Sequence, residues 1–203
     1  MLPPIVYLQV SVAGMVLQES QKELIEGCQR GDSEAFRALF EKYKDAVYSI
    51  ALRYAGEPAA AQDIAQDTFL KLFSTIGSYR GESAFEPWLY RMVVNSCLDQ
   101  KRRKRRWAPL LDEVLSLLRT PDLSALDQVL RSEMSAQVRG VIDGLAPEQR
   151  IVVVLRYTQG LSYEEIAEIL GCAPGTVASR LNRAHKILER RLAGLAARRR
   201  KNG

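Results

Sequence analysis

The stretch Gly160-Leu-Ser-Tyr-Glu-Glu-Ile-Ala-Glu-Ile-Leu-Gly-Cys-Ala-Pro-Gly-Thr-Val-Ala-Ser-Arg-Leu-Asn-Arg-Ala184 decides how the chain is read. It spells two helices joined by a tight turn. Ser162 and Glu165 form a capping box, which fixes where the first helix starts. Ile166, Ala167 and Leu170 make its apolar stripe, and Gly171 supplies a left-handed stop. The chain turns through Cys172 and Ala173, and Pro174 suits the first position of the next helix. Val177, Leu181, Ala184 and Leu188 recur at helical spacing and give that helix one buried face. Thr176, Ser179, Arg180, Asn182, Arg183 and Lys186 fall on the other face, as donors and positive charges for a major groove. An ordinary helical hairpin shares this outline, but the chemistry of the outer face favours a DNA-reading helix-turn-helix.

The whole chain has 203 residues, enough for one large core or two small ones. Its hydrophobic fraction of 47% is that of a globular protein. The formal net charge of +5 leans toward a polyanionic partner, and its placement says more than its size. Basic residues gather at 101–106, along the final helix and at 198–201. The three cysteines, Cys28, Cys97 and Cys172, are widely spaced and form no CxxC pair, so neither a disulfide framework nor a zinc site is expected. They read as small core residues in a reducing cytoplasm. His185 is the only histidine, and no Gly-rich phosphate loop or GxSxG occurs. No cofactor, metal or catalytic activity is expected.

Residues 1–14 are apolar, too short to span a bilayer and without the positive start of a signal peptide. They read as a disordered extension or an over-long start, within an N-terminal segment 1–18, and no membrane insertion is expected. From Glu19 the pattern is helical throughout. Leu24, Ile25 and Cys28 mark a first helix ending at Gly31. Asp32 caps a second, with Phe36, Leu39, Phe40, Tyr43, Val47, Ile50, Ala51 and Tyr54 in register, until Gly56 breaks it. Pro58 opens a third, with Ile64, Phe69, Leu72, Phe73 and Ile76 inward and Asp63, Gln66, Asp67 and Lys71 on a polar face. After a loop, Ser83 and Glu86 suggest a second capping box. A long fourth helix then runs through Trp88, Leu89, Met92, Val93 and Leu98 into Lys101, Arg102, Arg103, Lys104, Arg105 and Arg106. Pro109 and Pro121 bracket a linker at 107–121, with an apolar side of Leu111, Val114, Leu115 and Leu118. A second domain, 122–203, carries a helix to about Gly144, another from Pro147 to Thr158, and the helix-turn-helix. No strand pattern appears.

Tyr79, Phe85, Trp88 and Tyr90 lie just ahead of the six basic residues, an interleaving that suits unstacked bases and their phosphates. Core packing competes for the same rings, and Trp88 is expected to be buried. Six like charges in a row repel one another unless something neutralises them, which favours phosphate over a solvated face.

Asp63-Ile-Ala-Gln-Asp-Thr-Phe-Leu-Lys-Leu-Phe73, Tyr79-Arg-Gly and Phe85-Glu-Pro-Trp-Leu-Tyr-Arg-Met-Val-Val-Asn95 resemble the core-binding domain of bacterial sigma factors, most of all the extracytoplasmic-function (ECF) group. Gly160-Leu-Ser-Tyr-Glu-Glu-Ile-Ala and Gly175-Thr-Val-Ala-Ser-Arg-Leu-Asn-Arg-Ala184 resemble that group's promoter-reading domain. The resemblance runs from about Glu19 to Leu195, in the family's order. It implies an all-α chain of two small helical domains, a four-helix polymerase-binding bundle at 19–106 and a helix-turn-helix domain at 122–203.

The resemblance also assigns roles. Asp63, Gln66, Asp67 and Thr68 match the helix that grips the β′ clamp helices of core RNA polymerase. Asn95 and the loop holding Tyr79 and Arg80 match the part that captures a flipped base of the minus-10 element. Lys101, Arg102, Arg103, Arg105 and Arg106 match the part that meets DNA just upstream. Thr176, Ala178, Ser179, Arg180, Asn182, Arg183 and Lys186 lie on the helix that would read the minus-35 element. Where this chain has Ala178 the family often carries a basic residue, and where it has Asn182 an aromatic or a histidine, so the promoter sequence stays open. The expected partners are core polymerase, promoter DNA and a possible cognate anti-sigma factor. A response-regulator-type transcription factor is the alternative, and it would need an α/β receiver domain. A nucleic-acid-processing enzyme would need a metal or acid-base cluster.

Overall fold

A computed structural model describes residues 20–82, 84–99 and 136–201, and every regular element among them is helical. The basic residues 101–106, the linker 107–121, the N-terminal segment 1–18 and Ser83 lie outside the described residues. The first half holds α1 (20–29), α2 (Ser33–Ala55), α3 (Pro58–Thr75), a 3-10 turn (Ile76–Ser78) and α4 (Phe85–Leu98). The second holds α5 (Ala136–Asp143), α6 (Pro147–Thr158), α7 (Tyr163–Leu170) and α8 (Pro174–Lys201).

Local chemistry sets most of these boundaries. The Asp32 carboxylate accepts from the N–H groups of Glu34 and Ala35 and starts α2. Gly56 ends it in the left-handed region at φ 74°, and its N–H donates to Leu52 O. Pro58 and Pro147 open α3 and α6 at positions whose N–H has no helical partner to lose. Ser162 and Glu165 form the expected reciprocal box, with bonds of 3.1 and 2.7 Å, and Gly171 closes α7 at φ 62°.

Several expectations are corrected. α4 begins after Ala84, with no side-chain cap, because the Glu86 carboxylate is held by Tyr43 from α2. α4 ends at Leu98, short of the basic run, where the Asp99 N–H closes onto Asn95 O. Phe73 is 46% exposed, at the flank of the α3 stripe, with its ring perpendicular to that of Phe36 at 4.9 Å between centroids. Trp88 and Cys172 are half-buried, and in α7 Ile169 is buried more fully than Leu170. Cys28 and Cys97 are buried as expected.

In the first half α3 and α4 pack on α2 and on each other. In the second α8 crosses α6, α7 and α5. The halves also meet directly, α2 against α6 and α4 against α7, and one buried apolar cluster runs through both. Polar ties flank this joint. Arg150 of α6 donates to Tyr54 O at 2.9 Å, lies over the Tyr54 ring and reaches Asp143. Arg91 of α4 donates to the Glu168 and Ile169 carbonyls, which end α7.

Candidate nucleic-acid interface

α8 divides its faces cleanly along its first four turns. Val177, Leu181 and Ala184 are fully buried against the helices beneath, and that anchors the helix. Ser179, Asn182, Arg183 and Lys186 are exposed, while Thr176, Ala178 and Arg180 are half-buried along the flanks. At 3.6 residues per turn, Ser179, Lys186 and Arg190 form the outermost row, with Asn182 and Arg183 on either side of it. The Ser179 hydroxyl donates back to Thr176 O at 2.9 Å, so its oxygen faces outward as an acceptor. Arg190 was not anticipated as part of this face, although its spacing of four from Lys186 places it there. The exposed His185 bonds Tyr157 of α6 through Nε2 at 2.8 Å.

The first half carries two further surfaces. On α3, Asp63 is exposed and Gln66 and Asp67 are half-buried, with Leu70 between them. Thr68 is not on that face: it is fully buried, and its hydroxyl donates to Ile64 O at 2.8 Å. The spacing could have told this, since Thr68 stands four residues from both Ile64 and Leu72 in the apolar row.

The second surface is a pocket of about 570 Å³ between α1 and the loop before α4. Gln21, Gln29, Tyr79, Arg80, Phe85 and Glu86 line much of it. Gln29 staples α1 to that loop by donating to the Ile76 and Tyr79 carbonyls at 3.1 and 2.8 Å. The Tyr79 ring stands edge-on to Phe85 and tilted against Trp88, with centroids 5.5 and 5.1 Å away. The aromatic cluster is therefore a packed wall with one half-buried rim, not a row of free rings. Asn95 is exposed on α4, one turn beyond Arg91 on the same face.

Glu86 lines this pocket. Burial would raise its carboxyl, but the Tyr43 hydroxyl at 2.5 Å, its own backbone, the Gln21 amide and nearby Lys42 outweigh that and hold it below the usual carboxylate range. Burial and the same Glu86 contact push the Tyr43 hydroxyl far up, so it stays a donor at any ordinary pH. Burial raises the Cys28 thiol to about 11 and the Cys97 thiol to about 12, which leaves both unreactive. Among the described residues no group of three His, Cys, Asp or Glu could hold a metal, and no helix is long and apolar enough to cross a membrane.

Residues 39–107 match the family model for Sigma-70 region 2, and residues 135–188 match that for Sigma-70, region 4. The RNA polymerase sigma-H factor of Pseudomonas aeruginosa is 34% identical over 193 residues, covering 89% of this chain and 98% of its own. The ECF RNA polymerase sigma-E factor of Haemophilus influenzae is 35% identical over 190 residues, covering 89% of this chain and all of its own. The chain belongs to the ECF group of sigma-70 factors. Its fold agrees with a chain in the structure of CnrH in complex with the cytosolic domain of CnrY, at TM-score 0.61 and 24% identity over 84% of this chain and 96% of that one.

As an ECF sigma factor the chain is an RNA polymerase sigma factor, and both halves of the sequence reading land in matched regions. The matches to both sigma-70 regions do not favour the response-regulator alternative. Sigma factors are in general non-catalytic regulators of transcription. Of the anticipated site residues, the fold gathers Tyr79 and Arg80 around one pocket, and the α1 residues Gln21 and Gln29, which sequence reasoning did not single out, line it with them. Asn95 stands on α4, outside that lining.

Proposed function

We propose that this sigma factor divides its labour between its halves. The α3 face of Asp63, Gln66 and Asp67 docks on the β′ clamp helices of core polymerase. The pocket beside Tyr79 and Arg80, together with Asn95 further along α4, takes an unpaired base of the minus-10 element. The basic residues 101–106 hold phosphates just upstream, and α8 reads the minus-35 element. The observation that carries this reading is the clean division of α8, whose apolar anchor aims a row of donors and cations outward. The chain acts as a specificity subunit rather than an enzyme, needs no cofactor and works in the cytoplasm, where polymerase and promoter meet. The RpoE of Bartonella quintana has been solved with the anti-sigma factor NepR, and a comparable partner for this chain belongs to the same proposal.

A pull-down with core polymerase followed by run-off transcription tests it. Asp63→Ala and Gln66→Ala together should lower core binding by about tenfold with an unchanged melting temperature, because they lie on a partly exposed face. Thr68→Val should leave binding unchanged, since its hydroxyl is spent inside the helix. Equal binding by all three proteins would place the docking surface elsewhere.

A further inference from the structure

The reading helix has a neighbour that neither its apolar side nor its outer row accounts for. Tyr157, in the last turn of α6, is 65% exposed, more than any other large hydrophobic side chain among the described residues. Its hydroxyl stands 2.8 Å from Nε2 of His185 on α8, with the ring centroids 5.9 Å apart. His185 is exposed as well. Water competes for both groups at such a site, so the bond contributes little to folding. It does hold the two rings together in one place.

Register sets that place. His185 stands one turn beyond Asn182 on the same flank of α8, and Arg183 lies on the opposite flank. Tyr157 is joined through 159–162 to the capped start of α7, and the first helix of a helix-turn-helix crosses the DNA backbone. Arg156 braces that connection, donating to Leu161 O at 2.7 Å and lying over the Tyr163 ring. On the reading that α8 enters a major groove, on which this inference rests, a sugar–phosphate wall runs along each flank. The ring pair faces the wall on the Asn182 side. Glu189, exposed one turn further along that flank, has the wrong charge for phosphate and marks where the contact stops.

Either imidazole tautomer leaves a donor for that wall. With the proton on Nδ1, Nε2 accepts from the Tyr157 hydroxyl and the Nδ1–H remains to donate. With the proton on Nε2, that N–H donates to the Tyr157 oxygen and the phenolic O–H remains. Phosphodiester oxygens only accept, so they fit what is left over.

We propose that Tyr157 and His185 form a phosphate-binding pair for the promoter backbone beside the element read by α8. The pair brings α6 into the interface. Its ligand is a backbone phosphodiester, so it adds affinity and fixes register without choosing a base.

The test uses holoenzyme assembled with the full chain, titrated onto a duplex site selected from a randomised upstream element. Tyr157→Phe should weaken binding by about threefold to tenfold at every sequence, with the preferred sequence and the melting temperature unchanged. Its salt slope should match wild type, because no cation is removed. His185→Ala should weaken binding similarly, and His185→Gln, which returns a polar nitrogen near the Nε2 position, should recover part of the loss. Single methylphosphonates along the duplex then locate the contact. One of them should weaken wild type and leave Tyr157→Phe indifferent, as coupled partners do in a double-mutant cycle. Wild-type affinity in both Tyr157→Phe and His185→Ala, or additive losses at every methylphosphonate, would overturn the pair. Failure of wild-type holoenzyme to prefer any upstream sequence would instead overturn the reading of α8.

Discussion

Glu86 joins three helices through its carboxylate. Its spacing from Ser83 suggested a helix cap, yet its carboxylate collects the Tyr43 hydroxyl and the Gln21 amide, tying α1, α2 and α4 together. Because its folded pKa lies below the ordinary value, the stability it contributes is complete above about pH 4.3 and is lost as pH falls through the lower folded value. Tyr43→Phe removes the strongest donor. It should cost about 1–2 kcal/mol at pH 7 in urea unfolding, with a shallower loss between pH 5 and pH 3. A wild-type acid profile in the variant would show that the bond does not couple to folding.

Along α8, the proposed reading gives a specifying role to some positions and a holding role to others. Asn182 and Arg183 are exposed beside the outer row, and each has the two-pronged reach that adenine or guanine accepts. Arg180 lies on a half-buried flank, where a long side chain reaches a phosphate more readily than a base edge. Asn182→Ala or Arg183→Ala should therefore cost about 1–3 kcal/mol at the preferred site and relax one position. Arg180→Ala should weaken all sites about equally. Selection from a randomised upstream element decides, and an unchanged preferred sequence in the first two variants would mean that another face reads the groove.

For the whole molecule, Gly56 is where the ending of one helix and the meeting of two halves coincide. It takes φ 74°, and a Cβ built there would stand 3.0 Å from an Asp143 carboxylate oxygen. Gly56→Ala should destabilise by about 1–2 kcal/mol from the left-handed backbone alone, and by more from the crowding. Asp143→Ala in the same chain should return the crowding part and not the backbone part, which a double-mutant cycle in urea resolves. Strict additivity would show that α5 yields without resisting.

Most of the helices, the caps of α2 and α7 and the division of α8 are legible along the chain, because those depend on partners within four residues. Asp32, Pro58, Ser162 with Glu165, and Gly171 each act on the nearest turn, and Val177, Leu181 and Ala184 keep their period whatever lies beneath. Thr68 was legible in the same way, from its place between Ile64 and Leu72, but the family motif drew it to the wrong face. The remaining contacts follow from packing. Glu86 finds Tyr43 at 43 residues' separation, Arg91 finds Glu168 at 77, and Arg150 finds Tyr54 at 96. No periodicity carries information across such intervals. Which carboxylate a tyrosine reaches, and which helix end an arginine closes, follows from how the helices pack once their apolar faces have met.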